Sequence, residues 1–89
     1  MAEITLTIRN KSGLHARPAA LFVQAAKAFK AAIRVSKDGR EVDAKSILSV
    51  LTLNVNAGSA ITLRATGDDE QQAIAALQRL IESALGEAE

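Results

Sequence analysis

At 89 residues and 9.4 kDa the chain has room for one domain, expected to span 1–89, that buries roughly 60% of its unfolded surface. Apolar residues make up 48%, which excludes disorder; the absence of Cys excludes disulfides, thiolate metal sites and cysteine nucleophiles, and two Phe with no Trp or Tyr argue against RNA modules that stack bases. Net charge is +1, but residues 1–45 carry nine Lys/Arg against four Asp/Glu and residues 46–89 two against six, so a basic half invites an acidic partner or anionic substrate without reaching what a DNA binder needs.

Glu3 to Arg9 alternates polar and apolar, the pattern of a strand with one wet face. Asn10 to Gly13 breaks it. From Ala16 to Phe29 the apolar spacing is helical, and Pro18 fits only in a first turn, so the helix is expected to begin near residue 16, just after His15. Ile33-Arg34-Val35 reads as a short strand, Asp38-Gly39 as a tight turn, and Glu41-Val42-Asp43 as the returning strand. Ile47, Leu48, Val50 and Leu51 follow at helical spacing, with Ser46 as the natural N-cap. Asn54 to Ser59 is a loop, and Ile61 to Arg64 alternates as the last strand. Asp68 to Leu85 is expected as one helix, with Asp68 and Gln71 as a capping box, a stripe of Ile74, Leu77, Ile81 and Leu85, and Gly86 as the stop.

The order is β-α-β-β-α-β-α. Strands with one apolar face each make a four-stranded antiparallel sheet covered by three helices on one face, an open-faced α+β sandwich. No apolar run approaches a membrane span and no signal peptide precedes the first strand, so a soluble cytoplasmic protein without membrane insertion is expected.

The single histidine lies in Gly13-Leu14-His15-Ala16-Arg17-Pro18-Ala19-Ala20. A helix beginning at Ala16 offers the amides of residues 16 and 17, a positive dipole end and the Arg17 guanidinium, which together form an anion site beside an imidazole. Those positive neighbours disfavour the imidazolium and are expected to leave the ring neutral and nucleophilic. The residues alone leave two readings open: an exposed histidine at a helix start, or one that binds or accepts a phosphoryl group.

That stretch resembles the active-site signature of the HPr family, the histidine-containing phosphocarriers of the bacterial phosphoenolpyruvate:sugar phosphotransferase system. The likeness continues in Gly39-Arg40-Glu41-Val42-Asp43-Ala44-Lys45-Ser46-Ile47-Leu48-Ser49-Val50 and in Asn56-Ala57-Gly58-Ser59-Ala60-Ile61, so it covers essentially the whole chain. It implies a phosphotransfer carrier, not an enzyme, with His15 accepting a phosphoryl group at Nδ1 from enzyme I and passing it to IIA domains of sugar permeases. Arg17 and the backbone amide of Ala16 would steady that group. No cofactor and no metal are implied, and neither nucleic acid nor oligomerisation; a monomer is expected.

The resemblance also makes Ser46 a candidate for regulatory phosphorylation by an HPr kinase/phosphorylase, beside its plain role as a helix cap. Ile47, Leu48 and Leu51 are candidates for the surface that docks partners, rimmed by Lys27 and Lys45, with Val50 assigned to the core. Asn54 stands where the family commonly has Gly, a substitution that tolerates a positive φ. Leu51 stands where many members have Met, and Gln24 and Ser49 where some have Lys. A paralogue serving another phosphorelay, a nitrogen-related branch or a dihydroxyacetone kinase, has the same chemistry. A small ligand-binding α+β module is the reading from a different class.

Overall fold

The computed structural model describes residues 1–8 and 16–84. In chain order the elements are β1 (Ala2–Thr7), α1 (Ala16–Lys27), β2 (Ala32–Lys37), β3 (Arg40–Asp43), α2 (Ile47–Thr52), β4 (Ala60–Thr66) and α3 (Glu70–Arg79), which runs into a π-helical turn over Leu80–Ala84. One antiparallel sheet of order β1-β4-β2-β3 holds all four strands. The expected sandwich is therefore present, with β4 drawn between the first two strands in sequence.

The alternation read from the sequence decides which face is covered. Ile33 and Val35 of β2 and Ile61, Leu63 and Ala65 of β4 are buried, as are Phe22 of α1, Val50 of α2 and Leu77 of α3. Burying such side chains stabilises the fold by about 1.5–3 kcal/mol each, the driving force that lays all three helices on that face. The opposite face is polar. Thr5 and Thr62 share a hydrogen bond of 3.0 Å between their hydroxyls, Arg64 pairs with Glu3 at 2.5 Å, and Glu41 stands 3.4 Å from both Arg64 and Arg34.

The β2–β3 turn has positive φ at both Asp38 (52°) and Gly39 (82°), the combination that a two-residue hairpin requires. Asn54 likewise takes φ 54°, so it fills the place of a glycine as expected.

Two expectations for the last helix are corrected. The N-cap residue is Asp69, not Asp68, and its carboxylate makes no capping bond to its own helix. It instead accepts the backbone N–H groups of Lys30 and Ala31, both at 2.8 Å. Glu70 reaches back to the Gly67 N–H at 3.1 Å, which supplies the reciprocal contact that the sequence pattern assigned to Gln71. The helix is also not α throughout: the last described turn widens to π from Leu80. Ile74, Leu77 and Ile81 are buried as the stripe requires. Leu85 and Gly86 lie outside the described residues.

Candidate functional site

The fold brackets the histidine segment on both sides. Upstream, the Ile8 N–H donates to the Ser59 carbonyl at 2.8 Å, and the Gly58 N–H donates to the Ile8 carbonyl at 2.7 Å. The loop carrying Asn56 to Ser59 thus pins the chain where β1 ends. Downstream, α1 opens at Ala16, the residue next to His15 in sequence. His15 itself, with Gly13 and Leu14, lies outside the described residues.

Arg17 is exposed in the first turn of α1, and Pro18 is buried there as its third residue. No acidic residue occupies that turn. Among the described residues of that turn, the helix end consequently has the positive character of its amides and of the Arg17 guanidinium. An anion brought to this end meets both kinds of donor.

Ser46 caps α2: its backbone is extended (φ −114°, ψ 113°) and its Oγ accepts the Ser49 N–H at 3.4 Å, a long bond. The Asp43 carboxylate accepts the Lys45 N–H at 2.9 Å, which adds a second brace just before the cap. Helices α1 and α2 are in contact. On them, Ile47 is 40% exposed, Leu48 74% and Leu21 36%, the last a residue the sequence reading did not single out. Val50 is fully buried. Leu51, expected near the docking face, is half-buried, with part of its side chain packed against the core.

The basic rim is likewise divided. Lys27 is exposed in the last turn of α1. The Lys45 ammonium donates to the Phe29 carbonyl at 2.7 Å, so it ties α2's entry to the end of α1. Its charge also helps to hold the Asp69 carboxyl below the usual 3.8, although the Lys30 backbone N–H is the larger cause. Glu70 is held below 4.5, chiefly by a hydrogen bond from the Met1 ammonium, whose nitrogen stands 2.9 Å from its Oε2.

The contacts at the other end of α2 were missed altogether. That helix has no basic residue in its last turn, yet its final carbonyl, of Thr52, accepts from Arg40, and the Asn54 carbonyl just beyond the cap accepts from Lys37, on the two sides of the β2–β3 turn. The available signal was a six-residue helix with no C-terminal cation of its own, close in sequence to a hairpin whose turn is flanked by two.

A surface cleft of about 310 Å³ between β1 and the π turn is lined by Thr5, Leu6, Thr7, Ile81 and Glu82, none of them an expected site residue. Among the described residues no cluster of His, Cys, Asp or Glu could hold a metal ion, and no helix is long and apolar enough to cross a membrane.

Residues 2–83 match the family model of the PTS HPr component phosphorylation site. The chain is 49% identical to the HPr-like protein Crh of Halalkalibacterium halodurans over 92% of this chain and 98% of that one. It is 46% identical to the phosphocarrier protein HPr of Cupriavidus necator over the whole of both. A crystal structure of HPr from Thermoanaerobacter tengcongensis superimposes with a TM-score of 0.94 at 55% identity, covering 97% of each chain. A crystal structure of an HPr dimer from the same organism, also 55% identical, gives 0.78 over 97% of this chain and 99% of that one. From its fold, its exposed arginine at the start of α1 and these likenesses, the chain belongs to the HPr family, the phosphocarriers of the phosphotransferase system, which carry a phosphoryl group and are not enzymes.

Proposed function

We propose that His15 is the residue that carries the phosphoryl group, taken from phosphorylated enzyme I and delivered to IIA domains of sugar permeases. The observation that carries this reading is the pairing of the chain's one histidine with a helix that opens at the next residue, with Arg17 exposed in its first turn. The Nδ1 lone pair attacks phosphorus as the bond to the donor breaks, and the amides of residues 16 and 17 with Arg17 take up the charge on the phosphoryl oxygens. An exposed set of donors suits a carrier, which must release its group as readily as it accepts it. The acting species is a monomer in the cytoplasm. The dimer among its structural relatives makes the monomer a point to be measured, by light scattering at working concentration.

Ser46 carries a second, regulatory part of this proposal. Its hydroxyl caps α2 immediately before the exposed Ile47 and Leu48, so a phosphate added there by an HPr kinase/phosphorylase would place charge beside the docking surface. One further reading is a paralogue with the same chemistry but other partners, in a nitrogen-related branch or beside a dihydroxyacetone kinase.

The test is incubation with phosphoenolpyruvate and enzyme I, followed by intact mass and phosphorus NMR. One phosphoryl group, stable in base and labile in acid, is expected on His15. Uptake that persists in His15→Ala refutes the assignment. Uptake from enzyme I but no transfer to any IIA domain points to the paralogous relay.

A further inference from the structure

The exposed apolar residues of α2 ride on a helix of six residues, far too short to persist alone in water. Its N-terminal end is held by the long Ser46 bond. The C-terminal end is held more firmly, and in large part from outside the helix. Arg40 donates through one guanidinium nitrogen to the Thr52 carbonyl at 3.0 Å and through the other to Thr52 Oγ1 at 3.2 Å. Thr52 Oγ1 in turn donates to the Ser49 carbonyl at 2.6 Å, passing the hold one turn back. The Lys37 ammonium donates to the Asn54 carbonyl at 2.7 Å and lies 3.5 Å from that of Leu53.

We propose that Lys37 and Arg40 are positioning residues for partner docking: the β2–β3 hairpin clamps the C-terminal carbonyls of α2 and so fixes the angle at which Ile47 and Leu48 meet a partner. This rests on the carrier reading above, in which α2 docks enzyme I. The physical reason for two cations here is the set of carbonyls without partners that every helix leaves at its C-terminus, carrying the negative end of its dipole. A six-residue helix has too few internal bonds to hold its last turn against fraying. The left-handed Asn54 directs the chain away once its own N–H has bonded to the Leu51 carbonyl, so no further turn of helix follows. Two donors on a rigid hairpin do that work. They touch no reacting atom, so their effect appears in affinity: the apparent affinity for a partner scales with the fraction of molecules whose α2 is in the docking arrangement.

The experiment measures steady-state transfer from phosphorylated enzyme I to the intact chain in Lys37→Met/Arg40→Met, in Lys37→Arg/Arg40→Lys, and in Thr52→Val alone and with Arg40→Met. Amide exchange at Leu53 and Asn54, whose N–H groups close the last turn of α2, is followed in the same proteins. The Met pair is expected to raise KM about tenfold with kcat within about twofold, and to speed exchange at those two amides. The charge-conserving pair should recover most of both effects. Thr52→Val removes an acceptor without changing charge, so it separates positioning from simple attraction to an acidic partner. It should raise KM in the same direction, and its effect should not add to that of Arg40→Met, because both break one contact. Additive effects, or a raised KM with unchanged exchange, would assign Lys37 and Arg40 to long-range attraction and overturn the clamp. A lowered kcat at unchanged KM overturns it as well. A wild-type chain that accepts no phosphoryl group refutes the carrier reading itself, and the docking role with it.

Discussion

Gly67 offers the sharpest test of how the start of α3 is held. Its φ is +151°, and a Cβ placed there would stand 2.8 Å from the Ala31 Cα and 3.0 Å from its Cβ. The obstacle is backbone, and it has nowhere to go. Ala31 is 1% exposed, its N–H is held by the Asp69 carboxylate, and the next residue, Ala32, is paired with Thr66 in the sheet. Gly67→Ala therefore meets two penalties. Forcing an L-residue into a backbone region that glycine occupies freely costs about 1–3 kcal/mol, and overpacking a site that cannot relax costs about 1–3 kcal/mol more. Gly58 is the internal control: its φ is +90°, but nothing lies within 4 Å of its would-be Cβ, so only the first penalty applies. In a domain of this size each kcal/mol lowers the melting temperature by about 4–8 °C. Taking the middle of each range, Gly67→Ala should thus melt about 24 °C below the wild type and Gly58→Ala about 12 °C below it. Far-UV circular dichroism melts of the three proteins, checked for reversibility, give the comparison. Equal melting temperatures for the two variants would refute the argument, because the contact with Ala31 burdens Gly67 alone.

Acid should weaken the same corner of the molecule. Asp69 and Glu70 are held below their ordinary values of 3.8 and 4.5, so the unfolded chain binds protons more readily; their contribution is complete above those values and is lost as pH falls through the lower folded ones. Melts taken between about pH 7 and 3 should show an acid limb that is shallower in Asp69→Asn, and identical limbs would rule out the tie to Lys30 and Ala31. Ser46→Ala should cost about 0.5–1 kcal/mol, the low end for a cap because its bond is long, while Ser46→Asp should cost less, since Asp also caps. If the surface docks enzyme I, Ser46→Asp should nevertheless raise KM for transfer far more than Ser46→Ala, and equal kinetics would leave Ser46 a cap alone. On α2 the two effects should separate by residue: Val50→Ala, at a fully buried position, should cost about 2 kcal/mol, whereas Leu48→Ala, at 74% exposure, should change stability by less than about 0.5 kcal/mol and still weaken transfer. A Leu48→Ala protein with wild-type KM would remove that residue from the docking face.

Local signals carried the fold a long way. Alternation in residues 3–8 and 61–64, the Asp38-Gly39 turn and the 3–4 spacing of the helices each reflect a short-range geometry, and each element formed where its pattern stood. The start of α3 was missed because the residue concerned has a partner distant in sequence. Asp68 and Gln71 have the spacing of a capping box, but Asp69 is engaged by backbone amides 38 and 39 residues away, and that contact sets where α3 begins. Periodicity also cannot tell α from π over the last turn, because either geometry keeps Ile81 inward. Leu51 looked like a docking residue because a short helix carried more apolar side chains than one face needs; the half-buried angle that puts it against the core depends on how α2 is tilted, which spacing does not encode.

Charge was the least legible property, and the structure changes what the basic half means. Of its nine Lys and Arg residues, Arg34 pairs with Glu41, Lys37 and Arg40 hold the end of α2, and Lys45 holds the end of α1. Their donors are engaged within the molecule, where they brace the hairpin and the two helices of the docking side. Arg17, Lys27 and Lys30 are exposed on α1 or just beyond it, while Arg9 and Lys11 lie outside the described residues. Among the described residues, three exposed cations therefore stand along α1 and its exit, from Arg17 in the first turn to Lys27 in the last and Lys30 beyond it. If Ile47 and Leu48 dock a partner, an acidic surface on it would be drawn to these cations as well.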